Sequence, residues 1–274
     1  MTVPLLNPVV RVIAARELLW NLTLRELRTK YRRSFLGWAW SMLNPLATVA
    51  IYGFVFGVLF KANAPVGASS GIASFPLFML CALLPWNFLS LVNNLGLGAI
   101  TNNAGLVRRV AFPRETLVLA NVGHAGVQFG IELGLLCLVL AVVGTGLLPW
   151  LPVVLLTVAL LALFATGFAL ALGALAVYFR DLTYLWAIAT QVWFFATPVV
   201  YPPQLITDNA PGWLAQLLQQ NPTYRFVDVL RDMLYHGQAP SWTSLGALAL
   251  WSLGSLTVGW AVFTRLARRM PEEV

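Results

Sequence analysis

Three polar side chains interrupt a long apolar stretch near the middle of the chain: His124, Gln128 and Glu132. They stand four residues apart, so on a helix they form a single ridge. Gly126, Gly130 and Gly134 repeat that spacing two residues out of phase and fall on roughly the opposite face, where small residues let helices approach closely. A charged side chain at a bilayer centre costs at least ~2.5–3.5 kcal/mol, so Glu132 is expected to meet a polar partner or a water-filled space. His124 with Glu132 could relay protons, or Glu132 could be a hydrogen-bonded structural carboxyl. A single acid is thin material for ion coupling, which favours the structural role.

Other chemistry is scarce. His124 and His236 are the only histidines, and neither lies in a cluster of carboxylates or cysteines at metal-ligand spacing. H-E-x-x-H does not occur, and no catalytic residues are assigned. A phosphate-cradling Walker loop needs Gly-Lys-Ser/Thr, but Lys30 precedes Tyr31 and Lys61 precedes Ala62. This chain is not expected to bind ATP in that way, and an ATP-driven process would need its ATPase on another polypeptide. Cys81 and Cys137 sit inside apolar stretches and read as small buried hydrophobes rather than ligands. Aromatic residues are more suggestive. Tyr52, Phe56, Trp193 and Phe194 fall mid-stretch, away from the interfaces where Trp38, Trp40, Phe60 and Tyr201 would anchor. Aromatic faces can stack on sugar rings without demanding one hydroxyl pattern.

The elements that must carry these residues follow from the charges. The chain has 274 residues, 59% hydrophobic and 10% charged, whereas a soluble domain carries about 25% charged residues. Residues 34–60, 62–107, 133–179, 182–207 and 233–264 contain no Asp, Glu, Lys or Arg, and a bilayer core needs about 20 apolar residues of helix. The expected fold is all-α and integral to a membrane, a single domain with six spans near 38–60, 72–93, 117–143, 151–178, 182–201 and 243–264. Placing both ends in the cytoplasm puts 14 of the 17 basic residues there, as the positive-inside rule requires. The net charge of +7 therefore reflects topology and not nucleic acid.

Residues 11–33 read as a basic amphipathic interface helix, with Trp20, Leu24, Leu27 and Tyr31 on one face and Arg25, Arg28 and Arg32 away from it. The cytoplasmic loop 94–116 mixes Asn102, Asn103, Arg108, Arg109, Pro113, Arg114 and Glu115 with apolar Leu106, Val110 and Phe112, a mixture that suits docking. The outer segment 202–242 holds two apolar-rich pieces, 212–219 and 222–235. They are separated at Asn221-Pro222, where Asn would cap a helix and Pro occupy its first position. Each piece is too short to cross, so a re-entrant pair dipping from outside is expected.

These motifs resemble the membrane subunits of type-2 ABC exporters for cell-surface polysaccharides, such as O-antigen, teichoic acid, capsule and cell-wall galactan. The run from Lys30 to Leu46 looks like that family's entry into its first span, and Phe112-Pro113-Arg114-Glu115 like the end of its coupling loop. Phe179-Arg180-Asp181-Leu182 matches its short fourth-to-fifth connection. Thr197 to Pro202 and Asn221-Pro222 match the flanks of its outer re-entrant pair. The pieces come in the family's order over about residues 25–240.

The resemblance implies a multi-pass permease of the bacterial inner membrane: a homodimer working with two copies of a separate ABC ATPase, which would carry the ATP and Mg. It would pass a lipid-diphosphate-linked glycan outward. The 94–116 loop would contact the ATPase, and Arg32 and Arg33 would steer the diphosphate by charge. The glycan would slide past Tyr52, Phe56, Trp193 and Phe194, and Tyr201, Pro202, Asn221 and Pro222 would form the outer gate. The rivals are a related permease for small drugs or lipids and an ion-coupled transporter using Glu132.

Overall fold

The computed structural model describes residues 14–31, 37, 39–59, 65–110, 112–267 and 270, and among these all regular structure is helical. In chain order the elements begin with α1 (Arg16–Tyr31), then α2 (Ala39–Tyr52), which runs into a π-helical segment, Gly53–Leu59. Next come α3 (Phe75–Gly98), a 3-10 turn at Thr101–Asn103, α4 (Ala104–Arg109) and α5 (Glu115–Val143). A 3-10 lead-in at Leu148–Trp150 opens α6 (Leu151–Tyr178), and α7 (Leu182–Phe195) follows. The outer segment contains α8 (Gln204–Asn209), α9 (Gly212–Gln219) and α10 (Pro222–Arg231), the last continued by a π turn at Asp232–His236. The last helix whose bounds are described is α11 (Trp242–Leu266).

Four of these are long and apolar enough to cross a membrane: α3, α5, α6 with its lead-in, and α11. They match the expected spans 72–93, 117–143, 151–178 and 243–264 to within a few residues. Helix α3 overruns its expected end: Asn93 is buried and the helix continues to Gly98. The other two expected spans, 38–60 and 182–201, correspond to shorter α-helices of 14 residues each, α2 and α7. Fourteen residues cover only about 21 Å of rise. Helix α7 ends at Phe195, and 196–201 form turns and bends around Pro198, whose ring and missing N–H oppose a continuing helix.

Local sequence explains the ends. Gly144 at φ 89° closes α5, its N–H donating to the Leu140 and Ala141 carbonyls, the left-handed stop that glycine adopts without strain. Ser241 caps α11 by accepting from the Ser244 N–H. At the opening of α10, Asn221 accepts from the Thr223 N–H with Pro222 at the first turn, as the sequence predicts.

Helix α3 is the centre of the packing. It buries residues around its circumference from Phe75 to Leu97 and meets α2, α5, α6, α7 and α10. Helix α7 buries none and lies at the edge. The tightest contact joins α6 to α11: a Cβ on Gly259 would lie 1.9 Å from the Gly167 carbonyl oxygen, so only glycine permits that crossing. Gly96 of α3 and Gly173 of α6 meet similarly, a Cβ on Gly173 falling 2.6 Å from the Gly96 oxygen. Among the described residues, the expected glycine contact on α5 is not made. A Cβ on Gly126, Gly130 or Gly134 would meet nothing within 4 Å, because the packed side of α5 is the one carrying His124 and Glu132.

Candidate transport cleft and coupling surface

On one edge of the bundle, α1 lies against α5. Its buried residues are Leu22 and Thr23, with Leu18 and Leu19 packed beside them. Thr23 reaches Gly123 of α5, where an added Cβ would lie 3.1 Å from its hydroxyl. The expected stripe through Trp20, Leu24 and Leu27 is therefore not the side that packs on protein. Trp20 is 62% exposed, which leaves it available to an acyl boundary. Arg25 donates from Nη2 to Asn103 Oδ1 at 2.9 Å and pairs with Glu26 at 2.6 Å. Arg32 and Arg33, the expected diphosphate-steering pair, lie outside the described residues.

The 94–116 loop sorts its expected docking residues into two sets. Asn102, Arg108 and Arg109 are exposed. The others serve the fold. Asn103 donates to the Ala99 carbonyl at 2.9 Å while accepting from Arg25. Phe112 packs half-buried against the core, and the Pro113 carbonyl accepts from the Thr116 hydroxyl at 2.6 Å. The Arg114 guanidinium donates from Nη1 to the Ala267 carbonyl just past the end of α11. Glu115 is buried at the start of α5, where a carboxylate complements the helix dipole. This loop is thus fastened to α1 through Asn103 and to α11 through Arg114.

Between α6, α7 and α11 lies an open cleft of about 570 Å³, lined by Phe164, Phe168, Trp193, Asn221, Trp251 and Ser255 among others. Its rings belong to a longer chain of aromatic contacts. Phe164 and Phe168 lie 5.1 Å apart between centroids, Phe168 and Trp193 5.3 Å, and Trp186 and Trp193 6.1 Å. Trp86 of α3 meets Trp193 and Phe194 edge-on at 6.1 and 5.5 Å. Of the expected pair, Trp193 lines the cleft, whereas Phe194 is not among its lining residues and meets Trp86. Tyr52 is half-buried against the core and does not line the cleft. The Phe56 side chain lies outside the described set. Sequence reasoning missed Trp86, Phe164, Phe168, Trp186 and Trp251. The spacing of Phe164 with Phe168, and of Trp186 with Trp193, carried the signal, since i,i+4 and i,i+7 share a helix face.

The polar atoms in this lining are turned inward. Ser255 Oγ donates to the Phe164 carbonyl at 2.8 Å. Asn221 is fully engaged: Oδ1 accepts from Trp193 Nε1 at 2.9 Å and from the Thr223 hydroxyl at 2.7 Å, while Nδ2 donates to the Ala196 carbonyl at 3.2 Å and to Thr197 Oγ1 at 3.1 Å. Of the other expected gate residues, Pro222 opens α10 and lines the cleft, and Pro202 is half-buried. Tyr201 packs with Ile206, Ala215 and Tyr224, its hydroxyl donating to the Phe195 carbonyl at 2.6 Å.

Arg231 of α10 is charged, yet its side chain is fully buried. The guanidinium lies 3.9 Å over the Phe78 ring of α3 and donates from Nη2 to the Pro198 and Val199 carbonyls at 2.8 and 3.3 Å. Burial lowers its pKa to about 10, with Cys81 and Asp228 opposing the shift. Burial also raises Asp228, and raises Asp232 to about 6 with help from Asp228 and against Arg231. Tyr235 adds a second hold, its hydroxyl accepting from the Ser74 N–H at 3.1 Å beside the Pro65 and Ile72 carbonyls.

Glu132 is buried in the core of the bundle and accepts from Gln128 Nε2 at 2.9 Å. A cavity of about 60 Å³ lies next to it, walled by leucines including Leu46, Leu80 and Leu84. Among the described residues, no group of three or more His, Cys, Asp or Glu is placed to hold a metal.

Four span-length apolar helices, two of which wall an aromatic cleft, define a polytopic membrane protein. The chain belongs to the ABC-2 type transporter family, whose model matches residues 17–235. Its relatives are transport permeases. It is 32% identical over 260 residues to the O-antigen export system permease protein RfbA of Myxococcus xanthus, covering 94% of this chain and 96% of that protein. It is 25% identical to a protein of the same name from Klebsiella pneumoniae, over 93% and 94% of the two chains. The polysialic acid transport protein KpsM of Escherichia coli is 27% identical, over 88% and 90%.

Proposed function

We propose that this chain is the permease of an ATP-driven exporter that moves a lipid-diphosphate-linked polysaccharide outward across the bacterial inner membrane. The observation that carries the reading is the run of aromatic contacts along the cleft, from Trp86 and Trp193 to Phe168 and Phe164, in a chain alike from end to end to an O-antigen permease. Ring faces hold a sugar weakly through its C–H face, and weak repeated contacts are what a conduit needs.

In this reading α2 with its π-helical extension and α7 are the first and fifth spans, both ends lie in the cytoplasm, and α8 to α10 form the outer re-entrant segment. Two copies of the chain work with two copies of an ABC ATPase, which supplies the ATP and Mg sites. The ATPase docks on exposed Asn102, Arg108 and Arg109. Its push passes through Arg114 to the end of α11 and through Glu115 to the start of α5. Because α11 crosses α6 at Gly259 and Gly167, movement of α11 shifts one wall of the aromatic cleft. Arg32 and Arg33 steer the diphosphate, and Tyr201, Pro202, Asn221 and Pro222 border the outer exit.

The test is to co-express the chain with the ATPase encoded beside it and isolate the complex in detergent. A 2:2 assembly with ATPase activity, and lipid-linked glycan accumulating in depleted cells, is expected. A chain that purifies alone and transports with an ion gradient would overturn the reading.

One observation favours a second cargo. The inward-turned polar groups of Ser255 and Asn221 leave the cleft apolar, which also suits a lipid without a glycan. Depleted cells that accumulate unglycosylated lipid would select that alternative.

A further inference from the structure

A buried arginine needs a reason, because removing a guanidinium from water is costly unless its donors are used. Arg231 uses one nitrogen on two carbonyls, those of Pro198 and Val199. These belong to the segment where α7 has broken off, and a carbonyl freed at a helix break in apolar surroundings must be satisfied by protein. Arg231 therefore fastens the break to α10 and, through its seat on Phe78, to α3. The arrangement is incomplete in one respect. Nε and Nη1 of Arg231 are buried and have no hydrogen-bond partner.

Asp228 stands one helical turn before Arg231, at i,i+3 spacing, where side chains on a helix meet. It is half-buried, and among the described contacts no hydrogen bond reaches its carboxylate. The guanidinium thus has a second candidate acceptor one turn away on its own helix. Holding the Pro198 and Val199 carbonyls ties three elements together; turning to Asp228 would satisfy a charge on its own helix and release the break. An element with two mutually exclusive sets of partners is the physical form of a switch.

We infer that Arg231 is a two-position latch on the outer segment, holding the 196–201 break closed through the Pro198 and Val199 carbonyls and releasing it by pairing with Asp228. Arg231 and Asp228 are positioning residues in this role; neither touches cargo. The inference rests on the exporter reading only for what passes when the latch opens.

The experiment measures how fast N-ethylmaleimide reaches a thiol in the break. The full chain, purified in detergent at pH 7.5, carries Val199→Cys in a background with Cys81→Ala and Cys137→Ala. Asp228→Asn removes the released-state partner and should slow labelling about tenfold, the factor for one lost charged hydrogen bond. Asp228→Glu should restore the rate, and Arg231→Met should raise it. An Asp228→Asn rate equal to or faster than that of the parent overturns the latch, as does an Asp228→Glu rate no different from Asp228→Asn. The Asp228 pair keeps the test decisive should Arg231→Met fail to fold. ATP-driven glycan transfer plays no part in this readout, so failure of the exporter reading would register separately.

Discussion

Trp193 donates its indole N–H to Asn221 Oδ1 across 2.9 Å, so the last turns of α7 and the first residue before α10 share one side chain. Asn221 also caps α10 through the Thr223 N–H at 3.1 Å and holds the Ala196 carbonyl. Asn221→Ala therefore removes a helix cap, worth about 1 kcal/mol, and orphans a partly buried indole donor at about 1–3 kcal/mol. The expected loss is about 2–4 kcal/mol, seen as a lower thermal denaturation midpoint in detergent. Asn221→Asp keeps the acceptor but turns a carboxylate oxygen on the Ala196 carbonyl that Nδ2 now holds, so it should not restore the midpoint. A loss no larger than that of an exposed cap substitution would mean the indole contact contributes nothing.

The α6–α11 crossing gives a sharper contrast. At Gly259 an added Cβ would strike Gly167 backbone atoms, which cannot rotate away, so Gly259→Ala should cost about 3 kcal/mol or more by overpacking. Gly254 lies on the same helix, yet a Cβ there meets nothing within 4 Å. Gly254→Ala should be neutral or slightly stabilising. Folded yield and denaturation midpoint of the two variants check this, and equal behaviour would contradict the close crossing.

What was legible in the sequence was one-dimensional. The length of an apolar run marks a membrane helix without knowledge of its neighbours, even where one acid such as Glu132 interrupts it, which is why α5, α6 and α11 fall within about three residues of expectation. Asn221-Pro222 was legible because a cap is local. The break after Phe195 was hidden by hydropathy: Pro198 sits inside the charge-free run 182–207, whose composition reads as continuous. Arg231 was hidden by a different cause. Periodicity assigns one apolar face to α10, but α3 and the 196–201 segment cover a second face, and only tertiary packing places Phe78 beneath the guanidinium. The glycine ridge of α5 marks where a helix could approach, and among the described residues none does.

The outer segment should respond to pH through Asp232 and His236. Asp232 titrates near 3.8 when unfolded and about 6 in place, so the folded state binds more protons between these values. Stability from this group is fully present below pH 3.8 and is lost as pH rises through about 6; Asp228, also raised, acts in the same direction. His236 opposes them. Burial lowers it below 6.5, and its Nδ1 accepts from the Ala68 N–H at 3.3 Å, so its contribution is lost as pH falls below 6.5. Amide exchange protection of 222–236 should therefore fall between pH 4 and 6 in the parent protein. In Asp232→Asn that decline should flatten, leaving protection rising toward neutral pH.

Glu132 tests the ion-coupled alternative. It is buried with Gln128 as a donor, and glutamine at this position keeps the size and the acceptor while abolishing ionisation. Glu132→Gln should insert normally, stay within about 1 kcal/mol of the parent, as expected for a near-isosteric change, and retain export. Loss of export with normal insertion would make the carboxyl part of the transport cycle.

The two classes of residue in the 94–116 loop should fail differently. In the proposed docking, exposed Arg108 and Arg109 face the ATPase, so replacing both by Ala should weaken assembly with it, most visibly at low salt, where surface charge is least screened. Arg114 is half-buried and bonded to the Ala267 carbonyl, which sets its action inside the chain. Arg114→Ala should leave the complex assembled and hydrolysing ATP while export per ATP falls by about tenfold, the factor for one charge-assisted hydrogen bond. Phe112→Ala, which removes a half-buried ring from the same junction, should uncouple in the same way. The measurement is glycan exported per ATP hydrolysed, taken alongside complex yield. Unchanged coupling in both Arg114→Ala and Phe112→Ala would mean that the push reaches the cleft by another route, with α1 and its Arg25–Asn103 bond the next element to test.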